Sequence, residues 1–195
     1  MNSQILCAEC GQLTSTYDAV RYGSADQAYR DLCSQCFNTM AAGLDGLKNF
    51  HSFKLEPVEI TDIGGEVHQF HFRARLLGIP GVALDAFELR DGEPAGYQFQ
   101  ILGESDADIL VLLGRLIERI RRALSIEHLV PGSLGPQIAN QGIVRGRVGW
   151  DPKSEGLPLL VIDGREFTVE QFGRMLMTYE GCNFKLSIYD KSEEL

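Results

Sequence analysis

The feature that most constrains this chain is a pair of C-x-x-C motifs near its amino terminus. Cys7 and Cys10 form the first pair, and Cys33 and Cys36 form the second after an interval of 22 residues. Two residues between cysteines let both thiolates face one tetrahedral ion from a tight turn, and Gly11 gives that turn backbone freedom. Zn²⁺ takes four soft ligands of this kind in closed structural sites. We therefore predict one structural Zn²⁺ site formed by the four thiolates.

The residues around the cysteines predict the elements that carry them. Between the pairs, β-branched and aromatic residues favour a β-hairpin turned around Gly23-Ser24. After the second pair, one helical stripe is formed by Phe37, Met40, Ala41, Leu44 and Leu47. A knuckle, a hairpin and a helix starting on the second pair resemble a treble-clef zinc finger, with a zinc ribbon as the next choice, over residues 5–50. The resemblance implies ligand roles for the four cysteines. Because four thiolates fill the coordination shell, the metal would hold the fold and perform no chemistry.

Composition and charge exclude several classes. Among the 195 residues, no apolar run approaches the roughly 20 that a membrane span needs, and the first 30 do not resemble a signal peptide. The paired cysteines favour metal binding over a disulfide framework, so we expect a cytoplasmic protein that does not act at a membrane. The net charge is −9, and none of the three segments described next is basic. This balance disfavours an autonomous DNA-binding domain.

The periodicity predicts an α+β protein in three consecutive parts. Residues 1–55 form the finger, residues 56–130 an antiparallel β-meander covered by a long helix, and residues 131–195 a small ββαβ module. In the middle part, we expect strands at 58–61, 67–77, 82–89 and 97–101 and a helix from Ser105 to Leu124.

The carboxy-terminal part begins with a predicted linker over residues 131–142. The pattern then predicts strands at 143–150 and 157–162, a helix opened by a capping box at Thr168, and a last strand in which Phe184, Leu186 and Ile188 alternate. We expect four aromatic and methionine side chains to lie in the core: Trp150, Met175, Met177 and Tyr179.

One row of cations is the candidate partner-binding surface. Arg115, Arg119 and Arg122 fall on one face of the middle helix and could bind phosphates or carboxylates through bidentate guanidinium groups. The alternative is a solvated helix face on which Glu118 pairs with Arg122.

Five titratable residues of the meander invite a catalytic or second-metal interpretation: Glu66, His68, His71, Asp85 and Glu88. His68 and His71 should project to opposite faces of a strand, so they cannot serve one site without a bulge. We expect His68 at the edge of the core and His71 on the wet face. No phosphate-binding loop, dinucleotide fingerprint, nucleophile elbow or metalloprotease motif occurs, and we assign no catalytic residue.

The whole chain looks similar to uncharacterised bacterial proteins in which a zinc finger precedes a small α+β body. We expect a non-enzymatic zinc-binding adaptor or regulatory protein that acts through protein–protein contacts. The alternative is a nucleic-acid-binding regulator that uses the finger and the row of Arg115, Arg119 and Arg122. An enzyme built around the titratable residues of the meander is the third class.

Overall fold

The fold of this chain mixes helices with antiparallel sheets. The computed structural model describes residues 4–24, 27–47, 52, 54–77, 81–133, 135–151, 154 and 156–193. These residues contain three α-helices and thirteen β-strands, and every ladder between them is antiparallel. This confirms the predicted mixture of α and β structure. No helix in these ranges is long and apolar enough to cross a membrane.

The amino-terminal part consists of two hairpins and a helix. The elements are β1 (Gln4–Leu6), β2 (Leu13–Ser15), β3 (Ala19–Ser24), β4 (Gln27–Cys33) and α1 (Ser34–Leu44). Strand β1 pairs with β2, and β3 pairs with β4. A hairpin between the two cysteine pairs was predicted correctly, although Gly23 and Ser24, the predicted turn residues, belong to β3. Helix α1 begins directly on the second cysteine pair, with Cys33 as its N-cap.

The middle part is a four-stranded sheet with a helix on one face. Its elements are β5 (Val58–Thr61), β6 (Val67–Leu76), β7 (Val82–Arg90), β8 (Glu93–Gly103) and α2 (Ile109–Leu124), and the strand order follows the chain. Helix α2 starts after the N-cap Asp108, later than the predicted Ser105. Its stripe of Leu112, Leu116, Ile120 and Leu124 packs against the sheet face formed by apolar residues of β6, β7 and β8.

Helix α1 joins the amino-terminal part to this sheet through a buried amide. Asn38 donates from Nδ2 to the carbonyl of Ala74 (2.8 Å) and accepts at Oδ1 from the backbone N–H of Leu76 (2.9 Å). Strand β5 pairs only with residues 67–70 of β6, so the amide of Asn38 satisfies backbone groups beyond the end of β5. The buried face of α1 therefore carries Asn38 and Ala42. The predicted stripe is wrong at Leu44, which is exposed because it lies on the opposite side of α1 from Ala42.

We expect Asn38→Ala to lower the free energy of unfolding by about 2–4 kcal/mol, because it leaves a buried donor and a buried acceptor without a partner. Urea unfolding at neutral pH measures the change. Thr39→Ala, on the exposed side of the same turn, is the control and should change stability by less than about 0.5 kcal/mol. Equal stability of the two variants would contradict the role given to the amide.

The carboxy-terminal part differs from the predicted ββαβ module. Its elements are β9 (Leu129–Gly132), β10 (Gly135–Ile138), β11 (Arg147–Trp150), β12 (Pro158–Ile162), β13 (Arg165–Thr168) and α3 (Val169–Leu176). The predicted linker over 131–142 contains most of the β9–β10 hairpin, in which Pro131 faces Pro136. The prolines suggested a loop. Proline lacks an N–H, however, and two prolines that face each other occupy a pair of positions between which the ladder forms no hydrogen bonds. A three-stranded sheet of order β11-β12-β13 precedes α3.

The start of α3 is as predicted, but its surroundings are not. Thr168 Oγ1 accepts from the N–H of Gln171 (3.1 Å), and the Gln171 side chain accepts from the N–H of Thr168 (2.8 Å), which completes the capping box. Met175 is buried, whereas Trp150 is 73% exposed and Met177 is also exposed, so the core prediction is wrong for these two. Trp150 lies on β11, an outer strand of its sheet, where its side chain is left exposed.

The predicted last strand is not paired. Residues 183–189, called here the C-terminal apolar segment, have no ladder partner among the described residues. Phe184 is 90% exposed, and Leu186 and Ile188 are each 74% exposed. Alternation of apolar and polar residues predicts a strand only where a neighbouring strand is available to pair with it.

Candidate metal centre and its surroundings

The four cysteines of the two C-x-x-C motifs come together. The sulfur atoms of Cys7, Cys10, Cys33 and Cys36 all lie within 4.8 Å of one another. Tetrahedral Zn²⁺ with Zn–S bonds of about 2.3 Å needs sulfurs about 3.8 Å apart, so this spacing suits a metal ion. The cluster is thus consistent with a site of the zinc-finger kind.

Local backbone geometry explains how each pair reaches the cluster. Cys7 and Cys10 lie in the connection between β1 and β2, where the N–H of Gly11 donates to the carbonyl of Cys7 (2.9 Å). Gly11 has a φ of 69°, which favours glycine. Cys33 caps α1, and its sulfur accepts from the N–H of Cys36 (3.5 Å). The N–H of Cys33 in turn donates to the Cys7 sulfur (3.3 Å), which ties the two pairs together.

The pKa values of the cysteine thiols in the cluster are shifted in opposite directions. Burial opposes ionisation of Cys7, but backbone N–H groups of Cys10, Cys33 and Glu9 outweigh it and lower its pKa to about 6. Burial and the neighbouring thiols raise the pKa of Cys33 and of Cys36. One thiolate therefore forms readily, and the remaining thiols lose their protons only when a cation offsets the accumulated negative charge.

The titratable residues of the meander separate onto two sides of the sheet. His68 is buried, its Nδ1 lies 2.8 Å from Glu88 Oε1, and its Nε2 lies 3.4 Å from Asp62 Oδ2. Asp62, Glu66 and His68 form a second group whose ligand atoms lie within 4.8 Å of one another. His71, by contrast, contacts Gln69 across 3.2 Å on the other face. The predicted projection of the two histidines to opposite faces is confirmed.

Burial lowers the pKa of His68, but its hydrogen bonds with Glu88 and Asp62 outweigh this and raise it above 6.5. At His71 burial acts without such partners and lowers the pKa. The two imidazoles are therefore in opposite electrostatic environments.

Asp85 also lies apart from His68, on the side of His71. It is 1% exposed, and Gln100 Nε2 donates to its Oδ1 at 2.7 Å. Arg75 and Arg73 donate to Oδ2 at 2.9 and 3.3 Å, and Lys191 Nζ lies 3.2 Å from Oδ1. Burial would raise the pKa of Asp85, but Lys191, the arginines and Gln100 outweigh it and lower that pKa. Asp85 is thus the buried carboxylate of a structural group of ion pairs with Arg73, Arg75 and Lys191. The five titratable residues singled out in the meander therefore do not form one site.

The predicted cationic row is only partly available to a partner. Arg119 donates to the carbonyls of Gln100 (2.8 Å), Ser192 (3.1 Å) and Lys191 (3.4 Å), and also to that of Glu193. It therefore holds the carboxy-terminal end of the chain against β8.

The other two arginines of the row, Arg115 and Arg122, are exposed on α2. Glu118 contacts Arg121 across 3.5 Å.

Two residues that the geometry makes important went unnoticed in the sequence. Asp62 reaches His68 from the turn between β5 and β6, and its spacing from Glu66 and His68 could have suggested the group. Asn38 gave no signal, because its backbone partners lie 36 and 38 residues away.

Three family models match successive segments of the chain. Residues 6–48 match Domain of unknown function (DUF7685), residues 51–125 match Domain of unknown function (DUF7686), and residues 127–193 match Domain of unknown function (DUF7713). No curated protein and no solved structure matches the chain. Because these matches assign no function, the candidate site has to be chosen on geometry. By that criterion, the four-cysteine cluster is the best-defined candidate.

Proposed function

We propose that this chain is a zinc-braced, non-enzymatic adaptor or regulatory protein of the cytoplasm that acts through protein–protein contacts. Its amino-terminal part would be a treble-clef finger with one structural Zn²⁺ on Cys7, Cys10, Cys33 and Cys36. The observation that carries the contact function is the C-terminal apolar segment, which exposes Phe184, Leu186 and Ile188.

The zinc assignment is supported by the donor set and by the order of the elements around it. Four sulfur ligands favour Zn²⁺ over oxygen-seeking cations such as Mg²⁺ and Ca²⁺. A knuckle after β1, the β3–β4 hairpin and a helix capped by a cysteine follow the order expected of a treble clef. Four protein ligands leave no open position for a catalytic water, so the metal would stabilise the fold.

The contact function is supported by the way the C-terminal apolar segment is held. The chain before the segment is fixed at Tyr179, which packs against the core of the carboxy-terminal part and donates from its hydroxyl to the carbonyl of Ile138 (3.4 Å). The chain after it is fixed by the contacts of Lys191 with Asp85 and Arg119. An extended segment with alternating apolar residues, held at both ends, is suited to pair with an exposed sheet edge of a partner protein, which would cover its apolar side chains.

Affinity capture from the native host tests the proposal. The zinc-loaded wild-type chain, Leu186→Asp and Ser187→Asp are each immobilised, and bound protein and nucleic acid are quantified. Ser187→Asp is the matched control, because it adds the same charge at the neighbouring exposed position on the other side of the segment. We expect wild type and Ser187→Asp to retain one stoichiometric protein, and Leu186→Asp to lose it at least about tenfold.

Three results would overturn this function. The first is recovery of the chain alone, and the second is an identical set of bound proteins for both aspartate variants. The third is nucleic acid whose recovery falls with salt and with Arg115→Ala, which would favour the nucleic-acid regulator instead.

A further inference from the structure

A second group of potential metal ligands lies at the opposite end of the described sheet from Asn38. The turn between β5 and β6 carries Asp62 and Glu66, and His68 follows on β6. Their ligand atoms lie within 4.8 Å of one another beside a cleft that reaches the turn between β12 and β13 at Asp163. This group contains an imidazole nitrogen as well as carboxylate oxygens.

The backbone of the turn fixes one carboxylate. Asp62 Oδ1 accepts from the N–H of Glu66 at 2.8 Å, and the N–H of Asp62 donates to the carbonyl of Glu66 at 2.9 Å. Asp62 therefore directs its second oxygen, Oδ2, to His68 Nε2.

The protonation of His68 follows from its other neighbour. Glu88 Oε1 lies 2.8 Å from Nδ1, and Glu88 Oε2 accepts from the N–H of Tyr97 at 2.7 Å. A Cβ at Gly96 would overlap Glu88 Oε2, so the backbone there is shaped around the carboxylate. Because a carboxylate can only accept, Nδ1 must carry a proton. This is the arrangement in which a carboxylate orients a metal-binding histidine.

The consequence appears at Nε2. In the neutral imidazole, a proton on Nδ1 leaves a lone pair on Nε2, and Asp62 Oδ2 faces that lone pair across 3.4 Å. His68 is only 7% exposed. Two acceptors that face each other there, His68 Nε2 and Asp62 Oδ2, require a positive charge between or beside them. Either a second proton on His68 or a bound cation supplies it.

We propose that His68 Nε2 and the carboxylates of Asp62 and Glu66 bind a divalent first-row transition-metal cation, distinct from the four-cysteine metal. An imidazole with two carboxylates favours Mn²⁺, Fe²⁺ or Zn²⁺ over Mg²⁺ and Ca²⁺, which prefer oxygen ligands alone. Three protein ligands leave coordination positions open towards the cleft. The site therefore accepts water or an oxygen ligand on the metal.

Mn²⁺ titration of the full chain loaded with one equivalent of Zn²⁺ tests the site, because the single zinc fills the four-cysteine cluster and leaves the second site open. Free Mn²⁺ is followed by electron paramagnetic resonance in wild type, Asp62→Asn, Glu66→Gln and the control Glu59→Gln, which removes a charge from exposed β5. We expect one Mn²⁺ per wild-type chain with a Kd below about 1 mM. Asp62→Asn and Glu66→Gln should weaken binding at least about tenfold, and Glu59→Gln less than about twofold.

Nuclear magnetic resonance locates the ion. Bound Mn²⁺ should broaden the ring signals of His68 and leave sharp the amide signals of α1, which contacts the other end of β6. The proposal is overturned if wild type binds no Mn²⁺ in this range, if the two ligand variants bind as tightly as wild type, or if the His68 ring stays sharp. In each of those cases His68 is a protonated histidine held between two carboxylates.

Discussion

Loss of the Zn²⁺ proposed for the four-cysteine cluster is expected to unfold the amino-terminal part, with a stability loss of the order of 10 kcal/mol for that part. Among its described residues, the buried side chains are those of Cys7, Leu32, Asn38 and Ala42. So small a core cannot hold two hairpins and a helix together without a cross-link or a metal. The same loss is expected for Cys7→Ser, because it removes a buried ligand.

Hydrogen exchange read by mass spectrometry measures this effect by region. After chelation, or in Cys7→Ser, amides of β3, β4 and α1 should exchange within seconds, while those of β7 and α2 remain protected by their own core. Cys182→Ser is the control, since Cys182 is exposed and lies outside the cluster. A protected amino-terminal part in a quadruple variant with all four ligands changed to serine would contradict the structural role of the metal.

Asp85→Ala is expected to lower the free energy of unfolding of the middle part, to which β7 belongs, by about 3–5 kcal/mol. The substitution leaves the guanidinium groups of Arg73 and Arg75 without the buried carboxylate that now accepts from both. Asp85→Asn should cost less, because its amide oxygen still accepts a hydrogen bond. Lys191→Ala should cost no more than about 1 kcal/mol, because Lys191 contacts Asp85 from a partly exposed position.

Urea unfolding at pH 7 ranks these variants, with Glu104→Ala on the exposed surface as the control. The expected order of stability is Glu104→Ala, then Lys191→Ala, then Asp85→Asn, then Asp85→Ala. If Asp85→Ala were as stable as the control, the ion pair would contribute nothing.

The pH dependence of Asp85 has a definite sign. Its pKa is lowered in the folded chain, so the unfolded chain takes up the proton first as the pH falls. The stabilisation is fully present above the unfolded pKa of about 3.9 and is lost as the pH falls through the lower folded value. The stability difference between wild type and Asp85→Asn should therefore be constant from pH 7 to about pH 5 and shrink below about pH 4. A difference that grows on acidification would contradict this assignment.

Much of the framework could be predicted because its signals are local. The spacing within each cysteine pair, the alternation around Phe70 and the stripe through Leu116 each lie inside one element. The interactions that went unpredicted join distant residues. Asn38 finds its partners in another part of the chain, and Asp62 joins His68 only after a turn has formed.

The errors have the same physical origin. The position of Arg119 in its helix predicts a solvent-exposed cation. Its side chain instead binds backbone carbonyls of residues 191–193, a contact that the periodicity of one helix cannot indicate. The alternation of Phe184, Leu186 and Ile188 correctly describes a strand-like segment, but the presence of a pairing strand is a tertiary property. Trp150 was expected inside because aromatic side chains are more often found in the core, whereas its place on an outer strand leaves it exposed.

The amide of Asn38 has a consequence for newly made chains. Until α1 forms, the backbone of β6 at Ala74 and Leu76 is an uncovered edge next to strongly apolar residues, and such edges recruit other chains. Because α1 begins on Cys33, one of the proposed metal ligands, the supply of metal during synthesis is expected to govern how much of the product stays free of aggregates.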